Sequence, residues 1–230
     1  MFSTGPANNC YLDLFGAAVY GSINTLKGME NPRQLEVMLD VMLTATPASL
    51  TDCILFGKAS TWAMDYDSPA AGVSAARTGM SFKVTRNAQV IATTNESPTL
   101  GKRITLWGRD NQSTVKAYSN GSVGATSITY TTAQASYAIA TDANPILLGK
   151  SGANFSSMRL YEAAIRVNGV LVFHVRPRVW MQSGATPLVV PDTSGFGNDL
   201  TITGGVLDTD FRYRSAWSKQ MAYAGKETVG

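Results

Sequence analysis

The sequence predicts an all-β fold in which two antiparallel sheets pack face to face around one core. Three observations carry that expectation. The background is small, polar and tolerant of extended backbone, with 20 Ser, 24 Thr and 21 Gly in 230 residues. Short apolar stretches bounded by Gly, Pro, Asn or Ser recur about every ten to fifteen residues. Two Asn-Gly dipeptides, 120–121 and 168–169, each follow an apolar or alternating run, which is the strongest short hairpin signal.

Along the chain, the first strong element is NPRQLEVMLDVML, 31–43. Asn31 and Pro32 resemble a helix start, and the composition favours helix. However, Leu35, Val37, Leu39, Val41 and Leu43 alternate without exception, which is the period of a strand with one buried face, so strand is expected. Further strands are expected at 52–57 (DCILFG), 79–84 (GMSFKV), 88–92 (AQVIA) and 145–149 (PILLG). RITLW at 103–107, a turn at Asp110-Asn111 and the Asn120-Gly121 turn read as a meander. The segment MRLYEAAIRVNGVLVFHVR, 158–176, reads as a hairpin. With a two-residue loop, Val167 faces Val170, Ile165 faces Val172 and Ala163 faces His174. That register puts Tyr161, Ala163, Ile165, Val167, Val170, Val172 and His174 on one face.

Composition narrows the function. The length suits a single sandwich domain over 1–210, with 211–230 as a tail, and neither an internal repeat nor a Pro/Ser linker divides it. Net charge is 19 − 16 = +3 with no basic run longer than two residues, so no nucleic-acid footprint is expected. One histidine, His174, and two cysteines, Cys10 and Cys53, are too few for a Cys/His zinc site. The cysteines read as reduced core thiols. No apolar run reaches the roughly 18 residues of a spanning helix, and MFSTGPANNC lacks the flank and apolar stretch of a secretion signal. Neither a membrane partner nor export by a signal peptide is expected.

Several passages, in order, resemble the concanavalin A-like lectin/laminin G (LamG) superfamily. FSTGPANNCYLDL (2–14) resembles the family's first strand, and QLEVMLDVML its long inner strand. KRITLWGRDNQSTVKAYSNG (102–121) is similar to the strand pair ending in a Y-x-N-G turn. NPILLGKSGANFSSMRLYEAAI (144–165) resembles the next passage, although Ser156 or Ser157 stands where the family has glycine. NGVLVFHVRPRVW and PLVVPDTSGFGNDLTITGG (187–205) resemble the closing passage of LamG-like proteins of tailed-bacteriophage virions, with a short final hairpin. The resemblance spans about 2–205 and implies a two-sheet antiparallel jelly-roll sandwich.

Each candidate for chemistry competes with a plainer reading. Hydrolases of this superfamily place acids at alternate positions of one strand; here the positions are Glu36, Met38 and Asp40, so the middle acid is missing. Acids on the outer face of a strand are the preferred reading. His174 is placed among apolar neighbours rather than in a Ser-His-Asp set, and no G-x-S-x-G motif accompanies it. Asp192, Asn198 and Asp199 offer oxygen ligands for calcium, against a turn in which they bond their own backbone and Gly195 and Gly197 take positive φ. A glycan platform would draw on Trp62, Tyr66 and Trp107, with Tyr118, Tyr130, Trp180 and Trp217 as further stock.

The leading expectation is a non-enzymatic, cofactor-free structural protein of a phage virion, assembled in the host cytoplasm. It would act as a capsid decoration or tail surface protein and form a symmetric homo-oligomer, a trimer first. The tail residues Phe211, Arg212, Tyr213, Arg214 and Trp217, with the arm 1–9, are the expected contacts to like subunits and to other capsid or tail proteins. The alternative is a lectin-like module binding host surface glycans; glycoside hydrolysis is the third reading.

Overall fold

The structure is a computed structural model and describes residues 11–14, 19–45, 53–58, 60–67, 79–94, 99–123, 127–151, 154–177 and 188–203. Within them the chain runs through β1 (Leu12–Leu14), β2 (Tyr20–Ile23), β3 (Leu35–Leu43), β4 (Cys53–Lys58), β5 (Trp62–Asp67), β6 (Gly79–Thr85), β7 (Gln89–Thr93), β8 (Arg103–Asp110) and β9 (Thr114–Ser119). It continues through β10 (Ser122–Val123), β11 (Ile128–Thr129), a one-turn helix α1 (Thr132–Ser136), β12 (Ile146–Leu148), β13 (Lys150–Ser151), β14 (Asn154–Phe155), β15 (Met158–Val167), β16 (Val170–Val175), β17 (Leu188–Val190) and β18 (Leu200–Thr203). The arm 1–9, Cys10, Trp180 and the tail 211–230 lie outside the described residues, so the subunit-contact and cysteine-pairing expectations do too.

The strands form two antiparallel sheets. The front sheet runs β1-β15-β3-β8-β9-β10, with β16 beside β15 and β11 beside β9; the back sheet runs β17-β18-β2-β12-β4-β5-β6-β7. The segment 31–43 resolves in favour of strand, because Leu35, Val37, Leu39, Val41 and Leu43 all point into the core at no more than 1% exposure. One row of five large aliphatic side chains buries more apolar surface as a strand against a second sheet than the local capping signal could offset. Opposite them lie Phe56, Trp62, Met64, Met80 and Phe82 of the back sheet. Phe56 meets Trp62 edge-on at 5.3 Å and Phe173 of the front sheet at 5.9 Å, pinning the layers together. Gly108 is required where β8 crosses this core, because a Cβ there would stand 2.3 Å from the Phe82 ring.

The hairpin expected at 158–176 forms, with Asn168 at φ 50° and Gly169 at φ 82° as a type I′ loop demands. Val167 faces Val170 as expected, but the pairing then changes. Ile165 faces Phe173, Ala164 faces His174 and Ala163 faces Val175, because Val172 is an extra, bulged residue. Val172 and Phe173 are therefore both buried, and His174 is turned to the outer face. A second bulge, at Tyr161 against β3, sends Tyr161 outward beside Glu162. Both ends of the face predicted from simple alternation are thus corrected by a one-residue insertion. The unpredicted β5 completes the back sheet, and the closing hairpin β17–β18 pairs with β2 at its edge. Among the described residues no helix is long and apolar enough to cross a membrane.

Candidate functional site

The outward face of the front sheet gathers most of the functional side chains. Residues alternate strictly along β8 and β9, so Ile104, Leu106, Val115 and Ala117 go inward while Arg103, Thr105, Trp107, Arg109, Lys116 and Tyr118 go outward. Cross-strand register then builds rows. The middle row is Ala164, Met38, Trp107 and Tyr118, from β15, β3, β8 and β9. Trp107 and Tyr118 stack with ring centroids 4.7 Å apart and planes 25° apart, and both remain partly exposed. Each ring covers one face of the other, so the pair forms an aromatic stack on the outward side of the sheet.

On one side of this row stand Arg166, Glu36, Arg109 and Lys116 in register; Arg109 Nε lies 3.1 Å from Glu36. On the other side stand Glu162, Asp40 and Thr105. Two carboxylates facing each other across a strand pair repel, and each has its own cations. Arg103 holds Asp40 by two bonds of 2.7 and 2.5 Å and lies over the Tyr161 ring at 4.0 Å. Arg176 and His174 both bond Glu162, at 2.5 and 2.9 Å. Burial raises the Glu162 carboxyl, but these two partners outweigh it and leave it below its usual range.

The expected site residues divide sharply. Trp107 is where a ligand could meet it, and Tyr118 joins it. Trp62 is not: it is 1% exposed and packed on Phe56 in the core, so the platform assignment is wrong for it. Strand phase carried the distinction, since Trp107 shares its phase with Arg103 and Arg109, whereas Trp62 shares its phase with Met64. Tyr66 lies on β5 opposite Met80, with its side chain outside the described set. Tyr130 is buried, and Trp180 and Trp217 lie outside the described residues. His174 corrects the apolar-face expectation: besides Glu162 it bonds Thr193 Oγ1 at 2.7 Å, tying the front sheet to the 192–199 loop.

Glu36 and Asp40 do lie on one outer face, each committed to an arginine. In the loop, the Asp192 carboxylate accepts from His174 N, Ser194 N, Ser194 Oγ and Asn198 N, which together hold it below its usual range against burial. Asn198 is buried and gives both amide hydrogens to the carbonyls of Lys27 and Val172 while accepting from Lys27 N. Asp199 accepts from Asp192 N. Gly195 and Gly197 take positive φ. These oxygens are spent on the backbone, and among the described residues no group of three or more His, Cys, Asp or Glu could hold a metal ion.

Two further polar centres were not legible in the sequence. At one end of the sandwich Arg86 and Asp110, both with fully buried side chains, form a two-pronged pair at 2.8 and 3.2 Å. Tyr130 donates to the same carboxylate at 2.6 Å, and burial plus that bond hold its phenol well above its usual range. At the same end a cleft of about 220 Å³ is lined by Asn24, Glu30, Lys58 and Asp142 among others, with Lys58 and Asp142 paired at 3.4 Å.

No family model matches the sequence, and no curated protein matches it closely enough to count as a relative. Solved structures do match in shape. A Bacteroides ovatus protein described as a "putative carbohydrate binding protein" aligns at TM-score 0.59 and 11% identity, over 86% of this chain and 60% of that one. The fold is a two-sheet antiparallel jelly-roll sandwich. This chain spans about 60% of the length of that neighbour. A heptameric pentraxin from Limulus polyphemus aligns at TM-score 0.40 and 13% identity, over 84% and 97% of the two chains. The fourth domain of an arabinanase from Geobacillus stearothermophilus, solved with arabinotriose, aligns at 0.39 and 14%, over 79% and 66%.

Proposed function

We propose that this protein is a non-catalytic carbohydrate-binding module that takes its ligand on the outward face of the front sheet. The observation that carries the reading is the stacked, partly exposed Trp107–Tyr118 pair. Sugar rings present C–H faces that pack on aromatic rings while their hydroxyls reach polar neighbours, which the flanking rows supply on both sides. The carbohydrate-binding description attached to the Bacteroides ovatus neighbour agrees with this reading. The absence of catalysis is supported by Glu36 and Asp40, each engaged by an arginine rather than free to act as acid or base. Virion assembly, the leading expectation from the sequence, ranks second. It rests on the closing passage and on arm and tail segments outside the described residues.

The test is binding to a glycan array followed by titration calorimetry. Trp107→Ala weakens the best ligand about tenfold or more with the melting temperature little changed, as expected for an aromatic anchor. Trp62→Ala instead unfolds the protein, since emptying a buried indole site costs about 3–5 kcal/mol. If Trp107→Ala binds as tightly as the parent, the platform assignment fails.

A further inference from the structure

The two rows flanking the aromatic platform differ in charge balance, and the difference points to a class of ligand. In the Glu162–Asp40 row each carboxylate is already met by Arg103, or by Arg176 and His174. The Arg166–Glu36–Arg109–Lys116 row has three cations and a single acid. Arg109 and Lys116 are direct cross-strand partners, an arrangement of like charges that is unfavourable in the free protein. Glu36 accounts for Arg109 at 3.1 Å, but the Arg109 side chain stays 43% exposed, and Lys116 has no ion-pair partner among the described residues. One unpaired cation, Lys116, and one ion-paired but partly exposed arginine, Arg109, therefore border the aromatic row on one side, roughly 7 Å along the strands from the stacked rings at about 3.3 Å per residue.

We propose that the ligand of this face is an acidic oligosaccharide, with a sugar ring against the partly exposed Trp107–Tyr118 stack and carboxylate or sulfate groups taken by Arg109 and Lys116. The inference rests on the glycan-binding reading and names its substrate class. A bound anion relieves the repulsion between Arg109 and Lys116, so the strain in the free face becomes affinity for an acid and none for a neutral sugar. From β3 to β9 the face crosses two strand gaps, roughly 10 Å, which accommodates a short oligosaccharide running across the strands. Arg109 can meet a carboxylate with two parallel N–H bonds, and Lys116 adds a point charge.

The experiment compares an oligogalacturonate with its fully methyl-esterified form, which removes the charge and keeps the sugar. A second arm compares a sulfated galactan oligosaccharide with its desulfated form. The acid of at least one pair binds about fivefold or more tighter than its neutral form, and the arm with the larger ratio tells carboxylate from sulfate. The preference shrinks as salt rises from about 0.1 M to about 1 M, where screening falls to roughly 3 Å. Lys116→Glu abolishes the preference, bringing the affinity for the acid form down to that for its neutral form in the same variant. Equal binding of acid and neutral forms in both arms overturns the inference while the glycan reading stands. Polyglutamate bound as tightly as the sugar acids also overturns it, because charge alone would then suffice. No binding of any saccharide brings down both.

Discussion

Replacing Arg86 with Met removes the cation of a pair whose two side chains are fully buried. Arg86 gives Nε and Nη2 to the Asp110 carboxylate, a further Nη2 bond to the Arg33 carbonyl at 2.6 Å, and Nη1 to the Tyr137 carbonyl. Burial pulls its guanidinium down, yet the bond to and charge of Asp110 leave it above its ordinary value. Without it, Asp110 keeps only the Tyr130 hydroxyl and the Gln112 amide, and two carbonyls lose their donor. Stranding one member of a buried pair costs about 3–5 kcal/mol, which at about 2–4 °C per kcal/mol for a chain of this size lowers Tm by roughly 6–20 °C. The assay is urea unfolding followed by tryptophan fluorescence, on Arg86→Met, Asp110→Leu and the double variant carrying both, each in a Tyr130→Phe background so that no hydroxyl is stranded. The double variant is more stable than the sum of the single losses by at least about 2 kcal/mol, because no charge is then left uncompensated. A single loss under about 1 kcal/mol, or simple additivity, refutes the argument.

Gly108→Ala forces a methyl to within 2.3 Å of the Phe82 ring and destabilises by about 1–3 kcal/mol; Phe82→Leu in the same chain restores part of it in a thermal melt. Glu162 is more acidic in the folded chain than in the unfolded one, so between its folded and unfolded values the unfolded state binds more protons. Its contribution is therefore complete above about 4.5 and is lost as pH falls through the lower folded value. Measured by Tm, the gap between the parent and Glu162→Gln closes on acidification, with Asp192 leaving some acid dependence in the variant. Asn198→Ala strands two carbonyls and an amide at a buried site and lowers stability by about 1–3 kcal/mol, read by urea titration.

The elements set by neighbours in the chain were legible in the sequence. The alternation from Leu35 to Leu43 specified a strand with one buried face, and Asn168-Gly169 specified the loop and the first pair across it, because period and turn chemistry are local properties. Trp107 was legible as a candidate, and its phase with Arg103 and Arg109 held the further signal that it faces outward. Beyond the start of the hairpin, prediction failed at Val172 and Tyr161. A bulge is favoured by how two strands must bend to keep the core filled, and nothing in their own residues announces it. That single insertion moved His174 from an apolar face to Glu162 and the 192–199 loop. Trp62 went inward because Phe56 of the neighbouring strand packs against it in the core, and Arg86 found Asp110 because two sheet ends converge there. Local sequence decides which backbone shapes are cheap for each stretch of chain. Which side chain becomes core, counter-ion or ligand surface depends on charges and volumes brought together from distant positions, and only the packed sheets decide that.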